Sequence, residues 1–240
     1  MKLGFLGTRG EIEARAARHR RHSSLLVAYR GGRVIVDWGD DWRGEGGRLR
    51  SAAIVLTHAH PDHAGGLRDG APCPVYATAV ALEALRRYPI ERRRVVKPHR
   101  PFRLRGIRFE PFPVEHSVRA PAVGYRIEAG RKTIFYAPDL VEIVDEREAL
   151  AGLDLYVGDG AAVTRSIVRR REGKLIGHAS IRAQLDWCGA AEVPRAVFTH
   201  CGSEVVKGDA RAVAGRVRAL GRERGVRAEI AHDGLEITLR

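Results

Sequence analysis

The chain has three cysteines, Cys73, Cys188 and Cys201, odd in number and widely scattered. Their scarcity excludes a disulfide framework and any paired-cysteine zinc spacing, and makes a reducing cytoplasm the expected location. Apolar runs of membrane-spanning length are missing, so no membrane segment is expected. Met1–Gly7 is too short an apolar stretch for a secretion signal, with Arg9 and Glu11 directly behind it, and reads as a first strand. There is no repeat, low-complexity tract or long linker, which favours one domain over residues 1–240. Acidic residues are also short: 29 Asp and Glu against 42 Lys and Arg leave a formal net charge of +13. Most of the positive charge is arginine, a choice that genome composition can explain, but the excess itself is not explained that way. It points to a polyanionic substrate or partner, nucleic acid first. Clusters lie at Arg15–His22, Arg92–Arg94 and Arg169–Arg171, each of which alone reads as a solvated face.

What the chain does have is concentrated at one place. His58, His60, Asp62 and His63 spell His-x-His-x-Asp-His directly after the apolar run Ala53–Leu56. Imidazole nitrogen and carboxylate oxygen are ligands preferred by zinc and its first-row neighbours. Alternate residues of an extended segment share a face, so His58 and His60 can grip one ion together. A helix beginning around Asp62 lets Asp62 and His63 address a second ion. Helix capping accounts for Asp62 alone and for none of the histidines.

The rest alternates strands, hairpins and a few helices. Leu25–Tyr29 and Val34–Asp37 read as a hairpin around Gly31-Gly32. Ala53–Thr57 is a buried strand, and Thr78–Arg87 a helix that Pro89 stops. Strands follow at Ile107–Val114, Ala122–Glu128, Lys132–Tyr136 (after the turn Ala129-Gly130), Leu153–Val157 and Ala196–Thr199. Helices are expected over Ala179–Trp187 and Ala210–Leu220. Arg227–Ala231 and Leu235–Leu239 read as a closing hairpin around Asp233-Gly234. His116, Asp139 and His200 each follow a strand, where a rigid scaffold presents chemistry.

These motifs together resemble the metallo-β-lactamase superfamily. The resemblance runs from Asp37 through Thr57–His63, Glu115–His116, Pro138–Asp139 and Thr199–His200 to Asp233-Gly234. It implies an α/β fold, the αββα sandwich of two mixed sheets with outer helices, and a dinuclear site. Carried over residue by residue, it implies that His58, His60 and His116 hold one zinc, that Asp62, His63 and His200 hold the second, and that Asp139 bridges them. Asp37 would orient the ligand loop. Manganese or iron also suit these donors. Two such ions generate a nucleophile near neutral pH, so the expected chemistry is metal-assisted hydrolysis, with Asp62 sharing in proton transfer.

Four features bear on the bond that is cut. Asp139 at the bridging position, and the lack of a secretion signal, disfavour β-lactamases that use a cysteine there. Gly177-His178-Ala179-Ser180 resembles the additional histidine motif of ribonuclease Z and related phosphodiesterases. It implies that His178 donates to a phosphoryl oxygen or protonates the leaving group. Gly124-Tyr125, eight residues after His116, resembles the same branch. Finally, positive charge suits phosphodiesters better than lactams or thioesters. Ribonuclease Z proteins that trim transfer RNA carry a flexible arm between the third and fourth motifs. Here only 22 residues, read as a hairpin, separate His116 from Asp139. Transfer RNA trimming is therefore in doubt, and a phosphodiesterase or nuclease acting on nucleic acid or nucleotides is expected. The rivals are an acyl ester, thioester or lactone hydrolase of the same fold and a non-catalytic nucleic-acid-binding protein.

The segment Gly10–Ser24 is expected to line one rim of the site, with Arg20 and Arg21 contacting substrate phosphates. The competing reading is a solvated helix with internal Glu–Arg pairs. His19, His22, His99 and His232 have no expected catalytic role, and the turn alone accounts for Asp233. The residues do not decide between a monomer and a homodimer.

Overall fold

The computed structural model describes residues 1–46 and 50–240. Two mixed sheets face each other. The first runs in the order Glu236–Thr238, Lys2–Gly7, Ser24–Tyr29, Gly32–Val36, Ala53–Val55, Val75–Thr78, Arg93–Val96. Its neighbours are antiparallel up to Gly32–Val36 and parallel beyond it. The second runs Glu142–Ile143, Ile107–Glu115, Ala122–Ala129, Lys132–Tyr136, Leu155–Asp159, Arg195–Thr199, Arg227–Ile230, with Phe102–Leu104 beside Ile107–Glu115. It is antiparallel as far as Lys132–Tyr136 and parallel after it.

The apolar sequence pattern explains the layering. Ile134 and Tyr136 pack inward against Phe5, Val27, Val34 and Val55 of the first sheet. Phe135 between them points outward and joins Tyr156, Phe198, Ile181, Leu185, Val213 and Val217. A strand covered on both faces has no need of polar alternation, so Ile134–Tyr136 and Leu155–Val157 are continuous apolar runs. Helices Ile181–Ala190 and Ala210–Arg222 supply the outer cover on that side. On the other side Trp38, Trp42, Leu56 and Leu67 pack with Leu82 and Leu85, under the short helix Ala79–Ala84 and the residues that follow it. The resulting order is helix, sheet, sheet, helix, the expected sandwich.

Three local expectations are corrected. The hairpin turn is Arg30–Gly31, both at positive φ, with Gly32 already paired to Tyr29. Thr78 caps its helix, its Oγ1 accepting from Ala81 N at 3.3 Å, but the helix is shorter than the apolar pattern suggested and ends at Ala84. The closing hairpin does not exist: Arg227–Ile230 joins the second sheet and Glu236–Thr238 the first. The turn at Asp233-Gly234 therefore crosses between sheets. Asp233 is more than a turn residue, since its carboxylate accepts from Thr8 Oγ1 at 2.7 Å and Arg20 N at 2.8 Å. Among the described residues no helix is long and apolar enough to cross a membrane.

Candidate metal centre

The parallel halves of both sheets deliver their carboxyl ends to one edge, and the polar residues at those ends converge. Asp37 follows Gly32–Val36, His58 follows Ala53–Val55, and His60 caps the short helix Pro61–Ala64 that carries Asp62 and His63. His116, Asp139 and His200 follow their strands, and His178 ends the strand Lys174–His178. His58, His60, His116 and Asp139 form one group whose ligand atoms lie within 4.8 Å of one another. Asp62, His63, Asp139 and His200 form a second at the same limit, so Asp139 is common to both.

The hydrogen-bond network assigns the tautomers. Thr57 Oγ1 donates to the Asp37 carboxylate at 3.0 Å, so His58 Nδ1, also 3.0 Å from that hydroxyl, is the donor there. His58 Nε2 is then a bare lone pair facing His60 Nδ1 at 3.0 Å. His116 Nδ1 donates to Gly177 O at 3.2 Å, which turns its Nε2 lone pair toward the same His60 nitrogen at 3.1 Å. His63 Nδ1 donates to Asp37 Oδ2 at 2.9 Å, leaving Nε2 buried without a hydrogen bond. His200 Nε2 lies 3.0 Å from Asp62 Oδ2.

This donor set fits metal. Lone pairs of neighbouring imidazoles repel unless a cation lies between them. Two nitrogens at 2.0–2.1 Å from a tetrahedral ion are themselves about 3.3 Å apart, close to the separations found. Asp139 Oδ1 is buried between His116 Nδ1 at 2.8 Å and His178 Nδ1 at 3.0 Å. Burial lowers His58, and burial together with the charge of His116 brings His60 down to about 4, so both are lone-pair donors at neutral pH. Burial works against charge on His63 and His200, but the surrounding carboxylates outweigh it and raise both to about 10, so without metal each ring carries a second proton that metal binding would displace. Asp139 stays ionised for the converse reason, its burial overcome by His116, His200 and His178.

His178 stands beside these groups. Its Nδ1 lies 2.9 Å from Asp159 Oδ2 and 3.0 Å from Asp139 Oδ1. Burial opposes its charge, yet the two carboxylates raise it to about 11. Asp159 was missed by sequence reasoning, although it carries the same signal as the others, an acid closing an apolar strand between Gly158 and Gly160. Asp139, Asp159, His178 and His200 form a third converging group. Tyr125 and the neighbouring Val123 also find a physical role. Tyr125 Oη donates to Leu56 O at 2.8 Å and Val123 N to Thr57 O at 3.1 Å, fixing the backbone that leads into His58.

The groups border a cavity of about 340 Å³ lined by His60, Asp62, His116, Asp139, His178 and His200, with Gly10, Glu11 and Ile12 on its rim. Gly10 sits so close to His200 that a Cβ would come within 3.1 Å of its ring. The rest of Gly10–Ser24 is not a helix, and although Glu11, Glu13, Arg15 and Arg18 are exposed, His19, His22 and Ser23 are buried. Buried Arg9 pairs with Asp41 at 2.5 Å and with His22 Nε2 at 2.8 Å, and its Nη1 holds the carbonyl of Ile12. Arg21 pairs with Glu45 at 3.3 Å and stacks on Trp42 at 4.6 Å. Arg20 is exposed, and neither it nor Arg21 lines the cavity.

The family model described as "Beta-lactamase superfamily domain" matches residues 33–201, the stretch that carries every converging residue above. The chain belongs to the metallo-β-lactamase superfamily. Members of this superfamily are metal-dependent hydrolases, and the chain has their fold and a candidate His/Asp metal site. Among solved structures it is similar to Zn(2+)-bound PqqB from Methylobacterium extorquens, with a TM-score of 0.76, 21% identity and 100% of both chains covered. It is similar to a diphosphatase from the PhnP family, with a TM-score of 0.74, 22% identity and 100% and 98% covered. The short form of human tRNase Z gives a TM-score of 0.68 at 14% identity over 100% of both chains. A curated relative, an octanoyltransferase of Porphyromonas gingivalis, is 28% identical over 211 residues, 78% of this chain. The chain spans 40% of that relative's length.

Proposed function

We propose that residues 1–240 act as a dinuclear metal-dependent phosphodiesterase on nucleic acid or nucleotide phosphodiesters. The observation that carries the reading is the placement of His178, whose Nδ1 is held by Asp159 and Asp139 and whose ring lines the cavity. Such a group suits a phosphoryl oxygen or an alkoxide leaving group, both of which need a donor. His58, His60 and His116 would hold one ion, Asp62, His63 and His200 the other, and Asp139 both. Zinc fits these donors, as do manganese and iron. A pair of divalent ions there supplies a nucleophile at neutral pH and neutralises charge on the attacked group.

The protein's own groups do the rest. Asp37 fixes His63 in the tautomer with Nε2 free, and Thr57 does the same for His58. Asp159 and Asp139 hold the Nδ1 proton of His178, and its Nε2 proton would pass to the leaving oxygen as the phosphorus–oxygen bond breaks. Asp62, facing the cavity, can take the proton released by the attacking water. The net charge of +13 favours an anionic substrate over a lactam or thioester.

Hydrolysis of bis-p-nitrophenyl phosphate by zinc- and manganese-loaded protein tests the reading. Metal-dependent release that vanishes in Asp139→Ala is the expected result. Failure with both metals, while an acyl ester or lactone is turned over, would transfer the site to the acyl-hydrolase class. Nucleic-acid binding with no turnover of any substrate would make the protein a non-catalytic member.

A further inference from the structure

The strands Ile167–Arg171 and Lys174–His178 form a two-stranded ribbon that belongs to neither large sheet. Its base is tied to the metal centre: Gly177 N donates to His116 O at 3.0 Å, and His116 Nδ1 returns a bond to Gly177 O at 3.2 Å. Its tip turns through Glu172 and Gly173, both at positive φ. Opposed residues of an antiparallel pair share a face, as do alternate residues along each strand. The register Ile167↔His178, Arg169↔Ile176, Arg171↔Lys174 therefore places Arg169, Arg171 and Lys174 on the face of Ile167, while Arg170 lies on the opposite face.

Ile167 and His178 line a second cavity, of about 560 Å³, that adjoins the metal cavity and shares Ile12, Ala161, His178 and Gly202 with it. Arg165, Thr164 and Ser203 complete part of its wall. At about 3.4 Å per residue, Arg169 and Arg171 lie about 7 and 14 Å beyond Ile167, leading outward from the metals. All three basic residues are exposed. Among the described residues Arg171 pairs only with the neighbouring Glu172 at 3.7 Å, itself exposed, an ion pair that contributes little. Arg171 is also directly opposite Lys174, a like-charge pairing that costs the ribbon stability. A polyanion lying along this face removes that cost.

We infer that this face of the ribbon is the track for a single strand of nucleic acid whose scissile phosphate lies at the metal centre. The inference rests on the phosphodiesterase reading and narrows its substrate, since a mononucleotide or cyclic nucleotide at the metals cannot reach Arg171. The metal cavity, about 340 Å³, suits one strand and not two paired ones.

The test is fluorescence anisotropy of the metal-loaded protein with a fluorescein-labelled, hydrolysis-resistant phosphorothioate oligonucleotide, titrated at several salt concentrations. Removing two phosphate contacts from a single strand lowers the salt slope by about 1.4, which is roughly 25-fold in affinity at 0.1 M salt. That is the loss expected for Arg169→Ala/Arg171→Ala. Arg171→Ala alone should cost about fivefold, and Arg170→Ala, on the far face, should leave binding within a factor of about two. Equal losses for Arg170→Ala and Arg171→Ala would overturn the track in favour of diffuse charge. So would unchanged binding in the double variant, or equal competition by a duplex of the same sequence. Bis-p-nitrophenyl phosphate does not reach the ribbon, so its hydrolysis reports on the metal centre alone. Absence of that hydrolysis in the unmodified protein would count against the phosphodiesterase reading alone, because the anisotropy still decides the track.

Discussion

Replacing Asp37 with asparagine preserves the shape of a fully buried side chain and removes one acceptor from a site that needs two. In the native structure Oδ1 accepts from Thr57 N at 2.8 Å and from Thr57 Oγ1 at 3.0 Å, while Oδ2 accepts from His63 Nδ1 at 2.9 Å. An amide has a single oxygen. If that oxygen faces Thr57, its NH2 opposes the Nδ1–H of His63, and the ring escapes only by moving its proton to Nε2, the atom proposed to face the metal. If the oxygen faces His63 instead, the NH2 opposes Thr57 N–H, leaving a buried donor unsatisfied at a cost of about 1–3 kcal/mol. Either way the competent arrangement becomes a minor one. Metal affinity should fall about 10–100-fold, the usual scale for losing the partner of a ligating histidine. Competition with a chromogenic chelator reads this directly, and a melting curve of the metal-free protein shows whether the fold has survived. Retention of affinity within about twofold would refute the tautomer assignment for His63, and with it the role given to Asp37.

Three further outcomes are expected. His178→Gln should keep its metal, yet lose far more activity on a diester with an alkoxide leaving group than on bis-p-nitrophenyl phosphate, whose leaving group needs little protonation. A general acid contributes about 10²–10⁴-fold, and equal losses on both substrates would reduce His178 to a positioning residue. Burial and the charge of Arg9, partly offset by Asp41, bring His22 down to about 4 from an ordinary 6.5. The unfolded chain therefore binds a proton that the folded one refuses between these values. The stability this group contributes is complete above pH 6.5 and falls by about 3 kcal/mol as the pH drops to 4. His22→Gln should lack that increment of acid sensitivity in denaturant titrations at the two pH values, and parallel losses in both proteins would sink the assignment. In Gly39→Ala the new Cβ runs into the backbone carbonyl of Asp62. The backbone cannot yield cheaply, so about 1–3 kcal/mol should be lost, or roughly 3–10 °C in Tm. Bound metal should fall as Asp62 shifts, and a variant that melted normally with full metal content would show the contact to be soft.

The candidate site was legible because histidines and acids gather at or just beyond the ends of apolar strands. His58 through His63 announced themselves by density, while His116, Asp139 and His200 did so by position. Asp159 carries the same signal, but a lone acid at a strand end is common and does not stand out. Only the third dimension shows it gripping His178. The layers were legible from runs such as Ile134–Tyr136, but the partners of the last strands were not. Arg227–Ile230 and Glu236–Thr238 look like a hairpin because the turn between them is short, and nothing local records that each is captured by a different sheet. Arg20 and Arg21 show the limit of charge counting. Composition cannot reveal that Glu45 and Trp42 are waiting for Arg21, or that Asp233 gathers the neighbouring backbone.

The strand Lys2–Gly7 has its outer partner in Glu236–Thr238, and the amino group of Met1 bonds to the carbonyl of Leu239, 238 positions away. A chain made in order therefore carries this strand half-paired until residues 231–239 have been synthesised. Pairings so distant in sequence close slowly. The loop leaving the strand brings Gly10 under His200, and it is pinned at Thr8 and Arg20 by Asp233. One wall of the metal cavity is consequently held in place by residues far downstream of it in sequence. A nascent chain offers a metal ion only scattered histidines, and the finished cage arrives together with the closing of the first sheet.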